Sequence, residues 1–197
     1  FRLYGGYPLR MYESGEIDVA QLDLSGVTEA KKPTSPFNKE LQIFPELSVS
    51  FVGFNTSVAP FDNPKVRRAF LLAIDQDELI NTMTSFTSYP FGNTIAKAKG
   101  LLPPGLPGHN LSLTPLAFNL EESLSLLAEV NYLTDSMPPL IFNTVGVSPL
   151  PAAIAQMWQN HLGVNINIVS LPSYSMLRDS SGHLYDFGWV ADYPNPQ

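Results

Sequence analysis

Apolar and polar residues alternate from Leu47 to Asn55, with Val49, Phe51, Val52 and Phe54 among them, and this period of two predicts a strand. The period then lengthens. Val66, Ala69, Phe70, Ala73, Ile74, Ile80 and Met83 recur every three or four residues, which predicts one amphipathic helix from Pro64 to about Met83. Asn63 supplies its N-cap, and Pro64 occupies the first helical position, where a missing N–H costs nothing. Lys65, Arg67 and Arg68 fall at the positive end of that helix dipole, so they are expected to have acidic partners or to face water.

A second helix is predicted from Asn119, with Glu122 completing a capping box and Leu120, Leu124, Leu127 and Ala128 as its buried side. It ends near Asn131, a residue that tolerates the left-handed conformation. The last third reads as strand, helix, strand. Pro139–Thr144 is an apolar strand, and Leu150–Leu162 is a helix with Ile154, Met157, Trp158 and His161 on one face and Gly163 as its stop. Val164–Val169 alternates again. A crossover helix between two strands implies that they are parallel. A short helix over Ser173–Asp179 and a strand over Leu184–Val190 follow.

Elsewhere the pattern is weaker. Gly15 is placed to end a short helix, Ile17 and Val19 alternate as in a strand, and residues 25–46, with Pro33, Pro36 and Pro45, read as loop. Residues 87–117 form a long connection through Leu101-Leu102-Pro103-Pro104-Gly105-Leu106-Pro107-Gly108. Connections of that length are uncommon in compact domains and are often functional. The fold class is α/β, or mixed α+β, and the 197 residues are expected to form one domain or a lobe of something larger.

Composition narrows the function classes. With 11 Lys and Arg against 18 Asp and Glu the net charge is −7, which argues against nucleic acid or anionic lipid as partner, since such binding draws on cations that neutralise phosphates. There is no cysteine, so disulfides, thiolate nucleophiles and Cys-ligated zinc are excluded together. No apolar run approaches the roughly 20 residues of a membrane-spanning helix.

Candidate chemistry is sparse. His109, His161 and His183 share no metal-ligand spacing, no glycine-rich phosphate loop or Gly-x-Ser-x-Gly elbow occurs, and no catalytic, metal or cofactor site is assigned. The chain end is richer. Phe187-Gly188-Trp189-Val190-Ala191-Asp192-Tyr193-Pro194 sets an indole, a carboxylate and a phenol where a strand runs into a Pro turn. Ligands of open α/β sheets gather beyond the carboxyl ends of strands, where such an Asp can pair with an ammonium group beside an aromatic wall. The same residues also suit a core Trp and a turn-starting Asp.

Two segments carry a resemblance. Phe54 to Asp75, through Pro60-Phe61 into Val66-Arg67-Arg68-Ala69 and Ala73-Ile74-Asp75, resembles a signature of the family 5 extracellular solute-binding proteins, the dipeptide and oligopeptide receptors of bacterial ABC importers. Gly188-Trp189-Val190-Ala191-Asp192-Tyr193-Pro194 resembles a second, and Ser14-Gly15-Glu16-Ile17-Asp18 also follows the pattern. Departures are Gln76 where Arg is common, Asn195 for Asp in the terminal turn, and Asn131 in place of the Gly usual before Tyr132.

The resemblance implies a periplasmic-binding-protein-like lobe, a mixed sheet flanked by helices, forming most of the second lobe of a two-lobe receptor. It implies a non-catalytic, extracytoplasmic protein, lipid-anchored in its full-length form, that binds a peptide or similar solute with a free amino group. Its partners are that ligand, the first lobe and a membrane permease. The ligand's ammonium is expected on Asp192, with Trp189 and Tyr193 lining the cleft. A ligand-sensing domain of a regulator, a peptide-holding chaperone and a hydrolase are the alternatives, in that order.

Overall fold

The computed structural model describes residues 7–44, 46–85, 95–132, 137–146 and 148–192. Its contacts cluster into two units, Phe1–Phe44 with Thr84–Ile95, and Pro45–Met83 with Ala96–Gln197.

The first unit contains helix α1, Pro8–Glu13, which begins on a proline and gives way at Gly15, where φ is +74°. Residues 17–20, expected to form a strand, adopt no regular structure, and Val19 is 83% exposed: alternation without a partner strand has nothing to bury against. Residues 25–46, read as loop, instead contain helix α2, Leu24–Lys31. Asp23 caps it by accepting the Gly26 N–H at 2.8 Å, and the Asn38 amide donates to the Lys31 carbonyl at its far end. Tyr12 packs edge-on against Phe37, and its hydroxyl donates to Glu40.

The second unit opens with strand β1, Ser48–Phe54, as the alternation predicts. Helix α3, Pro64–Leu72, starts as expected, with Asn63 Oδ1 accepting the Lys65 N–H at 2.9 Å. It does not run on to Met83. The chain leaves the helix at Ala73 and begins a new one, α4, Gln76–Ser85, for which Asp75 Oδ1 accepts the Asp77 and Glu78 N–H groups. The remaining elements are α5 (Leu120–Glu129), β2 (Leu140–Val145), α6 (Pro149–Leu162), β3 (Ile166–Leu171), α7 (Tyr174–Asp179) and β4 (Leu184–Val190). Asn119 caps α5 through the Glu122 N–H, Asn131 follows it at φ +59°, and Gly163 ends α6 at φ +68°, three boundaries the sequence predicts.

The break after Leu72 has a physical cause. A helix leaves its last four carbonyls without intrahelical partners. Here Ala69 and Leu71 accept the N–H groups of Ala73 and Ile74, and Ala69, Phe70 and Leu72 meet donors from elsewhere in the chain. Ser123 Oγ of α5 donates to the Ala69 carbonyl at 2.7 Å, Trp158 Nε1 of α6 to Phe70 at 2.8 Å, and the Asn119 backbone N–H to Leu72 at 2.9 Å. The next carbonyl along, Ala73, accepts from His161 Nδ1 at 2.7 Å. Ser123, Ala69, Phe70 and Trp158 are all buried, so the Ser123 and Trp158 bonds form away from water. At the other end of α3 the expected acidic partners are present: Lys65 pairs with Glu129 and Arg68 with Glu122, while Arg67 donates to the Phe61 and Asp62 carbonyls.

The sheet has the order β1-β4-β2-β3. β2 and β3 are parallel, as the crossover through α6 requires, and β4 lies parallel to β2 and antiparallel to β1. One face carries Val52, Phe54, Phe142, Leu140 and Leu184 into the core, packed with Phe61, Phe70, Leu127, Ile154 and Trp158 from the helix side. The architecture is therefore a mixed sheet with helices against it, in the expected class.

Trp158→Phe keeps the ring volume largely filled but leaves the Phe70 carbonyl without its donor. Stability of the chain should fall by about 1–3 kcal/mol in urea unfolding, whereas Ser125→Ala, on the exposed side of α5, should stay within about 0.5 kcal/mol.

Candidate functional site

Strand β4 organises the carboxyl end of the sheet. It pairs with β1 along its whole length, from Leu184↔Phe54 to Val190↔Ser48, and the ladder continues one step further through the Ala191 N–H to the Leu47 carbonyl at 2.8 Å. On its other side the pairing with β2 covers only Leu184↔Phe142 and Tyr185↔Asn143. From Asp186 onward no ladder pairing joins that edge of β4 to another strand among the described residues.

The entry to β4 is firmly held. The Tyr185 hydroxyl donates to the carbonyls of Ser180 and Gly182, and Asn143, 2% exposed, donates from Nδ2 to Ser180 Oγ. A Cβ at Gly182 would collide with that Asn143 amide. His183 makes two hydrogen bonds to the Ile141 backbone, its own N–H donating to the carbonyl at 2.9 Å and its Nδ1 accepting the N–H at 3.0 Å, and burial holds its pKa below the ordinary imidazole value.

Residues opposite each other in an antiparallel pair share a face. Trp189 therefore shares a face with Val49, Phe187 and Phe51, away from the helices. Phe51 and Phe187 have ring centroids 5.7 Å apart, and Phe187 stacks on Tyr185 at 6.0 Å. Trp189 ends this aromatic row at 36% exposure; the core tryptophan is Trp158. Asp192 lies two residues past the end of β4, in a bend, with its side chain exposed. The structure thus brings Trp189 and Asp192 to the carboxyl end of one strand. Tyr193, the third residue singled out in the sequence, lies outside the described residues.

The structure adds one residue that the motif reading missed. Asp186 sits at the first position of β4 beyond the β2 ladder, half-buried. Thr144 Oγ1 donates to its Oδ2 at 3.2 Å, and the Ser148 hydroxyl lies near the carboxylate. Ser148 is the N-cap residue of α6, yet its side chain makes no capping bond. Burial raises the Asp186 pKa above the ordinary carboxylate value, against the opposing pull of the two hydroxyls. A charged residue inside an otherwise apolar strand was the available signal in the sequence.

The histidines act as structural groups: besides His183, His161 binds the Ala73 carbonyl and His109 Nδ1 the Leu102 carbonyl at 2.6 Å. No cluster of three or more His, Asp or Glu suited to a metal occurs among the described residues. A shallow groove along α5 is lined by Asn119, Glu122 and Glu129, but both of these carboxylates are engaged by Arg68 and Lys65.

Comparison with known proteins decides the family. The model of the bacterial extracellular solute-binding proteins, family 5, middle region, matches residues 8–197. The chain belongs to this family. It is similar to the periplasmic oligopeptide-binding protein OppA of Salmonella typhimurium, 29% identical over 197 residues, covering 94% of this chain and 35% of that protein. It is also similar to the heme-binding protein A of Haemophilus influenzae, 30% identical over 178 residues, covering 85% of this chain and 30% of that one. Among solved structures, the unliganded open form of the periplasmic murein tripeptide-binding protein MppA superposes with a TM-score of 0.72 at 19% identity, over 95% of this chain and 37% of that one, so the fold is shared. The chain spans about a third of the length of the curated relatives it matches. The family is one of extracellular solute-binding proteins, not of enzymes, and the non-catalytic reading agrees with that membership.

A carboxyl group whose native pKa lies above its unfolded one stabilises the fold fully below the unfolded pKa and loses that contribution as pH rises through the native value. Asp186 should therefore detract from stability at neutral pH. Asp186→Asn is expected to match or exceed the parent in urea midpoint at pH 7, the difference shrinking as pH falls toward 4; a clear drop in midpoint at pH 7 would show instead that the carboxylate is a structural keystone.

Proposed function

We propose that this chain forms most of the second lobe of a two-lobe receptor serving a bacterial ABC importer. Its ligand is a peptide or similar solute with a free amino group, whose ammonium pairs with Asp192 while Trp189, and Tyr193 beside it, line the site. The observation that carries this reading is the run of β4 edge from Asp186 onward that no ladder pairs with another strand among the described residues, leading to an exposed carboxylate.

An extended peptide can add to such an edge as a further strand, its main chain supplying affinity and its amino end meeting the anion. A carboxylate shielded when ligand covers it binds an ammonium by a charge-assisted hydrogen bond, and an indole alongside supplies apolar surface or a cation–π contact. The net charge of −7 is in keeping with a ligand that presents a cation. The names of OppA and of the tripeptide-binding protein point to peptides, whereas heme-binding protein A shows that relatives of similar identity carry other names. The peptide assignment for this chain therefore rests on Asp192.

The same proposal supplies the rest of the molecule. The first lobe closes over the ligand, a membrane permease receives it, and the receptor works outside the cytoplasmic membrane, held there by a lipid anchor on the full-length protein. Closure of one lobe on the other around the solute is a hinge movement.

Removing one partner of a shielded ion pair leaves the other uncompensated, at a cost of about 3–5 kcal/mol. In the complete receptor, Asp192→Ala and N-acetylation of the peptide should each weaken binding by about a hundredfold or more in calorimetry with penta-alanine, and the two losses should not add. Affinity unchanged by both would end the proposal.

A further inference from the structure

Asp186 stands where the pairing of β4 with β2 stops. From β2 the chain crosses to β3 through α6, whose Ile154, Trp158 and Leu162 lie in the core on the helix face. From β3 it returns past β2 to β4 by way of α7, and the end of this connection closes on the opposite face, where Ser180 meets Asn143 and Tyr185. The connections leaving β2 and entering β4 thus lie on opposite faces of neighbouring parallel strands. Ligands of open α/β sheets gather beyond the carboxyl ends of strands, and Asp186 lies beside Thr144 at the carboxyl end of β2.

The ladder between β2 and β4 stops at Asn143↔Tyr185, and the next residue of β4 is Asp186. Thr144 donates to its carboxylate and the Ser148 hydroxyl lies near it. An ionised carboxylate offers about four acceptor positions, so it keeps capacity for a further donor. None of the ion pairs among the described side chains includes it. A partly desolvated anion without a cation is costly, and a protein that holds one in place beside hydroxyls has prepared a site for a cation.

We infer that Asp186 is a second, specificity-determining carboxylate of the ligand site, selecting solutes that carry a cationic side chain a few residues from their free amino group. This rests on the peptide reading above and deepens it. A ligand strand laid along β4 with its amino end at Asp192 passes Asp186 further along, since each residue of an extended chain advances about 3.3 Å. The pairing is then ammonium or guanidinium to carboxylate, with Thr144 keeping the anion in position.

The test is calorimetry on the complete receptor with penta-alanine peptides in which one residue, walked from position two to five, is lysine, norleucine or glutamate. At one position lysine should bind about tenfold or more tighter than norleucine, and glutamate weaker than both. Asp186→Asn should erase the lysine advantage while leaving the affinity for the norleucine peptide within about twofold, which also certifies the fold. A structural role alone would not move the lysine-to-norleucine ratio. No lysine preference at any position, or one that survives Asp186→Asn, overturns the inference. Acetylated versions of the same peptides read the Asp192 pairing separately. If the free amino group matters but lysine does not, only the Asp186 assignment falls; if no peptide in the series binds, both fall.

Discussion

The carboxyl end of α3 holds the second unit together. Its unpaired carbonyls are buried, and each one left without a donor would cost about 1–3 kcal/mol. Trp158 of α6 and the Asn119 N–H ahead of α5 satisfy Phe70 and Leu72, Ser123 of α5 adds a second donor to Ala69 beside the Ala73 N–H, and His161 of α6 serves the carbonyl just past the helix. These bonds are directional, so they fix where α5 and α6 lie as well as that they pack. Trp158 serves twice: its indole N–H caps the helix while its ring sits among Phe54, Phe70 and Phe142. The helix layer is thereby set against the sheet, and the sheet sets β4.

What β4 does follows from its place between unlike neighbours. Against β1 it is a fully paired antiparallel strand, and against β2 it is parallel for only two residue pairs. The first arrangement makes the strand rigid to its last residue; the second leaves part of one edge unpaired. A strand that is held on one side and available on the other is suited to receive an extended ligand. The polar groups around its start, Asn143, Ser180, Tyr185 and the backbone of Gly182, keep that strand in register without using its free edge. Asp186, half-buried at the point where the free edge begins, is a local inconsistency by the rules of a stable core, and such inconsistencies are expected at functional positions.

The misread segments have separate physical reasons. The apolar stripe from Val66 to Met83 is continuous, because both α3 and α4 bury residues, and periodicity alone does not register a change of axis between them. Asp75 followed by Asp77 and Glu78 was the legible signal for a new N-terminus, and the structure uses it in that way. Helix α2 was hidden because its pattern is short and only weakly amphipathic, yet Asp23 caps it and Asn38 closes it. Alternation over Ile17–Ala20 suggested a strand where no strand lies beside it among the described residues, and two alternating residues carry little weight without one.

The sequence by itself determined the helix caps at Asn63, Asn119 and Gly163, the left-handed Asn131, the parallel pairing of β2 with β3, the family, and the gathering of Trp189 and Asp192 at the end of one strand. Each of these depends on local chemistry or on residues close together in the chain. Only the tertiary structure decided where α3 stops, because its carbonyl partners come from up to 88 residues away. It alone placed β4 between β1 and β2 and left the edge beyond Tyr185 unpaired. It alone gave Asp186 its surroundings, since the hydroxyls beside that carboxylate belong to β2 and to the start of α6, and strand order cannot be read from a linear pattern of side chains.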